Sequence, residues 1–345
     1  GTENYGFARS AASGSGQPYT DFVDGKTLHT VFVGANDGML HAFNAETGRE
    51  RFAYIPYSVY EQLKLRTDNN YGSSFNPHKY SVDGQIFVGD AYVNGSWKTI
   101  LVGTLGAGGK GIFALDVTNA TDLSDTRVLF DYHQGNAPQI GNITGTPIIA
   151  PMPDGSWAIV TGNGYNSEGG ESQLVIIPLD GTYTPQYIAT GNAGNNGLSE
   201  PAISVGGGFL ARYAYAGDLQ GKMYKFNLET KAVEYELFTA VDGENAQPIT
   251  ASPVLGINPY RKNASGQPST MVYFGTGSYL TFNDLGNTDL QSFYGIADSG
   301  QTVTRAELFV KDISSQSGGA RTLYEGDGPY GDEIDWVSKA GWVLD

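Results

Sequence analysis

No cysteine occurs anywhere in the 345 residues. Disulfide staples, thiolate metal sites and a cysteine nucleophile are thereby excluded, while the compartment stays open. Positive charge is scarce: 20 Lys and Arg stand against 36 Asp and Glu, a formal net charge of −16. No basic cluster interrupts that balance, which excludes nucleic acid as a partner and removes attraction to an anionic membrane surface. Long apolar runs are missing too. No stretch approaches the roughly 20 residues of a membrane span, and no charged segment followed by an apolar one opens the chain.

What is abundant is glycine (48) together with tyrosine and phenylalanine (22 and 16). Aromatic segments punctuated by glycine suit many short strands joined by tight turns, whereas low-complexity disorder carries few aromatics. The stretch "VFVGANDGMLHAFNAETGRE" from Val31 reads as strand, Asp-Gly hairpin turn, strand and a corner closed by Gly48. It returns as "YAGDLQGKMYKFNLE" from Tyr215, and more loosely from Ile100, Ala158 and Val272. The leading glycines Gly34, Gly103, Gly162, Gly217 and Gly275 lie 69, 59, 55 and 58 residues apart. These spacings exceed the roughly 40–50 residues of common propeller repeats and leave room for insertions. The fold class expected is all-β, a modified β-propeller of six to eight blades with quinoprotein-like repeats and short helical insertions. "TPIIA" and "SQLVIIP" are continuous apolar runs, as in strands buried on both faces. One helix is expected in "PYSVYEQLKLR", within an irregular insertion reaching Tyr80. Residues 1–27, polar and rich in Gly and Ser, read as a linker from a preceding region. Residues 28–345 read as the propeller, with the closing "GWVLD" as a strand cut short.

Motifs that could carry chemistry resolve into structure. Gly106-Ala-Gly108-Gly-Lys-Gly111 satisfies a dinucleotide fingerprint, but the strand "IFALDVT" follows where a helix must begin, so it reads as a hairpin turn. His29, His41, His78 and His133 are scattered, with no pair at a ligand spacing. No Gly-x-Ser-x-Gly elbow is present. The weak metal candidate is "NDLGNTDLQS", where Asp284, Asn287 and Asp289 offer oxygen ligands at a spacing unlike a standard calcium loop. No catalytic or cofactor-binding residue is assigned.

The blade texts together resemble the C-terminal propeller of the PilC/PilY family of type IV pilus tip-associated adhesins and assembly factors. The residues that carry the likeness are "VFVGANDGMLHAFNAETGRE", "NPHKYSVDGQIFVGDAY", "GTLGAGGKGIFALDVT", "GTPIIAPMPDGSWAIVTGNGY", "YAGDLQGKMYKFNL" and "FGTGSYL…QSFYGIAD", in family order from about residue 29 to 298. The neisserial-type PilC members look nearest. The resemblance implies a non-enzymatic, exported factor at the cell surface, outer membrane and pilus tip. It implies minor and major pilins and a host-cell receptor as partners, and roles in pilus assembly, opposing retraction, twitching and adhesion. Many relatives carry a calcium loop where this chain has Glu200–Leu210, "EPAISVGGGFL", which lacks the ligands; no cofactor is therefore expected at that position. An Arg-Gly-Asp tripeptide is absent as well. The alternatives are a pyrroloquinoline-quinone dehydrogenase, which shares the repeat, and a carbohydrate-binding propeller. The regions expected to make contacts are 56–80, 162–171, 259–270 and the chain after 310.

Overall fold

The computed structural model describes residues 19–122, 124, 126–311, 313–317, 320–323 and 334–345. Helix α1 (Tyr19–Asp24) precedes sheet one, which is β1 (Thr30–Gly34), β2 (Leu40–Asn44) and β3 (Glu50–Tyr54). Helix α2 (Tyr60–Arg66) lies in the insertion that follows. Sheet two is β4 (Ile86–Val93), β5 (Ser96–Thr104), β6 (Gly111–Asp116) and β7 (Arg127–His133). Sheet three is β8 (Ile148–Pro151), β9 (Trp157–Gly162), β10 (Gln173–Pro178) and β11 (Gln186–Ala189). Sheet four is β12 (Ala202–Val205), β13 (Ala211–Gly217), β14 (Lys222–Asn227) and β15 (Ala232–Thr239). A small hairpin, β16 (Val241–Asp242) and β17 (Asn245–Ala246), leads to sheet five. Its strands are β18 (Val254–Lys262), β19 (Pro268–Gly275), β20 (Phe293–Asp298) and β21 (Leu308–Lys311), then, beyond the hairpin β22 (Ile313–Ser317) and β23 (Ala320–Leu323), β24 (Gly341–Leu344). Strand β24 enters between β20 and β21 and runs parallel to β21.

The sheets pack face to face in chain order, and the period-two alternation of strand side chains explains how. On β5, Leu101 joins the core shared with sheet one, while Ile100 and Val102 join the core shared with sheet three. On β9 and β10, Trp157, Ile159, Val175 and Ile177 face sheet two, while Ala158, Val160, Leu174 and Ile176 face sheet four. Tyr215 and Met223 then turn toward sheet five, opposite Ala214, Ala216 and Tyr224. The middle strands are therefore buried on both sides, as their continuous apolar text predicts. This is the propeller architecture expected. The described residues form five such sheets, against the six to eight blades expected.

Two expectations need correction. Residues 19–26 of the supposed lead-in are docked: Tyr19 and Phe22 are buried against Trp97, and Lys26 pairs with the fully buried Asp90 at 2.6 Å. Tyr19 also donates to Asp90 at 3.0 Å. Two aromatics and one charge found partners on sheet two, contacts that local glycine and serine content does not reveal. There are accordingly two α-helices among the described residues, not one. Residues 1–18 lie outside the described residues.

Candidate interaction surface

Consecutive strands are antiparallel, so every second connection falls at the same end of the sheet stack. One end collects the turns 35–39, 105–110, 163–172, 218–221 and 276–292, and also the segments that pass from one sheet to the next. Here the sheets are laced together. Asn36 accepts from the Ser81 amide at 3.1 Å, and Gln62 donates to the Gly108 carbonyl at 2.6 Å. Asn142 donates to the Gly106 and Gly109 carbonyls at 2.8 and 3.0 Å. Asn163 accepts from Gln173 and Leu198 amides and donates to the Gln139 and Glu171 carbonyls. Asp218, fully buried, accepts from Asn192 and Asn196 at 2.8 Å each and from the Gln220 and Lys222 amides.

Two of the leading glycines, Gly34 and Gly162, acquire their reason at this end. A Cβ on Gly34 would stand 2.4 Å from the Val82 carbonyl oxygen, and one on Gly162 2.1 Å from that of Ser199. The crossing segment lies directly on these turns, and a hydrogen in place of a side chain lets it do so. The sequence reading singled out the glycines but missed the short polar side chains beside them. The signal was present in Gly162-Asn163 and Gly217-Asp218, where a short polar side chain follows the glycine and bonds the neighbouring segment.

On this rigid frame the laced end exposes large apolar side chains. The 56–80 insertion carries Tyr57, Tyr60, Leu65 and Tyr80, with Phe75 90% exposed. It is held from below by Val59 and Val82, which belong to the core between sheets one and two. The 276–292 turn carries Tyr279 and Phe282, 75% and 85% exposed, with Leu285 and Leu290. Of the expected contact regions, 56–80 is therefore placed here. The 162–171 turn shares this end, but Asn163 and Ser167 are buried and tie it down, which leaves little of it to offer. The 259–270 hairpin lies at the opposite end, with Tyr260 exposed. After 310, the hairpin of β22 and β23 is described, whereas 324–333 lie outside the described residues.

The weak metal candidates have local work instead. One oxygen of Asp284 accepts from the Leu280 and Thr281 amides at 2.7 Å and from Ser278, capping the short helix 282–286. These donors hold its carboxyl below the ordinary carboxylate range. Asn287 accepts from the Asp289 amide in a turn of its own. Among the described residues no three His, Asp or Glu side chains gather as a metal group would require.

The family described as the PilY1 beta-propeller domain matches residues 7–323. The chain belongs to this PilY1 propeller family. The type IV pilus biogenesis factor PilY1 of Pseudomonas aeruginosa is 35% identical over 380 residues, covering 95% of this chain and 31% of that protein. A PilY1 homolog of Xylella fastidiosa is 41% identical over 277 residues, covering 79% of this chain and 21% of that protein. The crystal structure of the Pseudomonas aeruginosa PilY1 C-terminal domain is similar with a TM-score of 0.73 and 32% identity, covering 95% of this chain and 73% of that one. The chain thus spans less than a third of the length of these curated relatives. They carry the PilY1 assignment and not the narrower likeness to neisserial PilC.

Within the PilY1 frame, the segment Glu200–Leu210 forms β12 and the turn after it. Its one carboxylate, Glu200, already accepts from the Thr146 amide at 2.7 Å. The residues there do not fit a calcium loop, which needs several converging oxygens.

A further titratable cluster is on sheet one, where His41 bridges Glu50 at 2.7 Å and Asp37 at 2.8 Å. Glu50, and then Asp37, raise its pKa against the lowering effect of burial. A raised value stabilises the fold below the unfolded histidine value of about 6.5, and that contribution is lost as pH rises through the folded value. An NMR titration should place the His41 midpoint above that of a free imidazole, and Glu50→Gln should bring it down. An unchanged midpoint in the variant would contradict the bridging geometry.

Proposed function

We propose that this chain is the propeller of a type IV pilus biogenesis factor, acting as a non-enzymatic platform whose laced end docks on pilins. The observation that carries the reading is the pairing of an end cross-linked by buried hydrogen bonds with exposed aromatics on the turns 56–80 and 276–292. Rigid aromatic anchors bring large contact area at low entropic cost, which is what a docking face needs. The relatives' names give type IV pilus biogenesis as the setting, and pilins are the partner class proposed within it. In the same reading the factor acts outside the cell at the pilus tip, supports assembly against retraction, and adds to attachment on host cells through a receptor.

Replacing Tyr279 and Phe282 together by serine in the full-length protein tests it. Both side chains are exposed, so the thermal unfolding midpoint should stay in place. Capture of minor pilins should fall by about tenfold or more, as for loss of hot-spot aromatics, with fewer surface pili by electron microscopy. Normal capture and normal piliation would remove the laced end from the mechanism.

A further inference from the structure

At the end opposite the lacing, the sheets part. Between sheets four and five a cleft of about 820 Å³ opens, within the roughly 300–1,000 Å³ common for ligand sites. Its floor is complete in itself. Asp298 accepts from Tyr215 at 2.5 Å, from Tyr235, from Lys225 at 2.7 Å and from the Gly300 amide at 3.0 Å. The Lys225 ammonium sits 4.2, 5.4 and 5.8 Å from the rings of Tyr213, Tyr235 and Tyr215. The protein's own cation fills this aromatic cage, so a ligand ammonium has no place in it.

The rim, by contrast, has groups without partners. Among the described residues the Arg212 guanidinium forms no hydrogen bond or ion pair and only rests 5.9 Å from the Tyr213 ring. Asn263 uses its carbonyl oxygen on the Ser265 and Gln267 amides, which leaves its NH₂ free to donate. Gln267 reaches the cleft with its side-chain amide free, and Glu234 engages Asn227 through one oxygen at 2.9 Å, leaving the other. The rim therefore presents one cation, two amide groups and one carboxylate oxygen, all of them planar and facing an open, polar space.

That donor and acceptor set selects against most ligand classes. An apolar ligand would strand these polar groups without water, and a polyphosphate would meet one free cation only. A polyhydroxylated ring bearing a carboxylate satisfies every group: hydroxyls donate to Glu234 and Gln267 and accept from Asn263, while the carboxylate pairs bidentately with Arg212. Arg212 is the cation at this cleft that is not already paired with a carboxylate, and it is the group there that would hold an anion. We infer that the cleft between sheets four and five binds an acidic saccharide, with its carboxylate on Arg212 and its hydroxyls on Asn263, Gln267 and Glu234.

Isothermal titration and saturation-transfer NMR on the 345-residue chain test this, with tetragalacturonate as the acidic probe and cellotetraose as its neutral counterpart. Tetragalacturonate is expected to bind and to weaken with added salt, and cellotetraose to bind at least about tenfold more weakly. Arg212→Ala should cost about tenfold or more in affinity. Its exposed side chain leaves the thermal midpoint unmoved, and Gln267→Ala is a second exposed variant expected to weaken binding. No saturation transfer at millimolar probe, equal affinity for the two probes, or unchanged binding in both variants would overturn the inference. The measurement involves no pilin, so its failure leaves the docking role of the laced end standing.

Discussion

Asp298→Ala should destabilise the chain by about 3–5 kcal/mol, the range for removing one partner of a buried ion pair. The side chains of Asp298 and Lys225 are 3% and 12% exposed, so neither charge has water to fall back on. The alanine leaves Lys225 without its anion and the hydroxyls of Tyr215 and Tyr235 without their acceptor. All three belong to adjacent strands of sheet four, whereas Asp298 ends β20 of sheet five, so the loss falls on the seam between two sheets. Asp298→Asn keeps an acceptor for one tyrosine and should lose less. Urea unfolding measures both, and equal stability of Asp298→Ala and the parent would mean that the network contributes nothing.

The same network sets a pH dependence. Burial works against the charged form of Asp298, but Lys225, Tyr215 and Tyr235 outweigh it and hold its pKa below the ordinary value. A depressed carboxylate stabilises the fold above its unfolded value of about 3.9, and that part is lost as pH falls through the folded value. Burial first, and then Asp298, push Tyr215 and Tyr235 upward. Their contribution is present below about pH 10 and lost as pH rises beyond it. Asp298→Ala should remove its acid flank of the stability profile and lessen the alkaline one, whose larger cause, burial of the tyrosines, remains.

Gly162→Val should cost about 3 kcal/mol or more, since overpacking and lost buried hydrogen bonds add. The first added carbon would lie 2.1 Å from the Ser199 carbonyl oxygen and 2.3 Å from that of Leu198, and both are backbone. Moving that backbone breaks the Gly164 amide's bond to Leu198 at 3.1 Å and the Ser199 amide's bond to Gly217 at 2.9 Å. Gly286→Ala makes the internal control, because nothing lies within 4 Å of the carbon it adds. Its effect should stay within about 0.5 kcal/mol. Equal unfolding midpoints for the two variants would show that the crossing segment yields freely and that the glycine is not required there.

Much of the architecture was legible in the residues. The repeat with its leading glycine marks the last or next-to-last residue of the second strand in sheets two to five, and the last of β1 in sheet one. Apolar runs such as "QLVIIP" announced strands covered on both faces, and β10 is covered by sheets two and four. The Asp-Gly turn at Asp37-Gly38 is where β1 passes into β2, with Gly38 at φ 104°. These features are local, and local chemistry is what sequence spacing records. The docking of α1 was not legible, because its partners Trp97 and Asp90 lie more than 60 residues away.

The sequence alone determined an acidic, cysteine-free, all-β repeat chain, because turn glycines and strand periodicity act within a few residues of each other. Tertiary structure alone decided where its surfaces are. Asp298 meets Tyr215 across 83 positions on a neighbouring sheet, and Asn142, in the segment between sheets two and three, meets Gly106 across 36. No periodicity connects such pairs. Only the stacking of whole sheets sets which end is laced and rigid, which end opens into a cleft, and which tyrosines stand exposed.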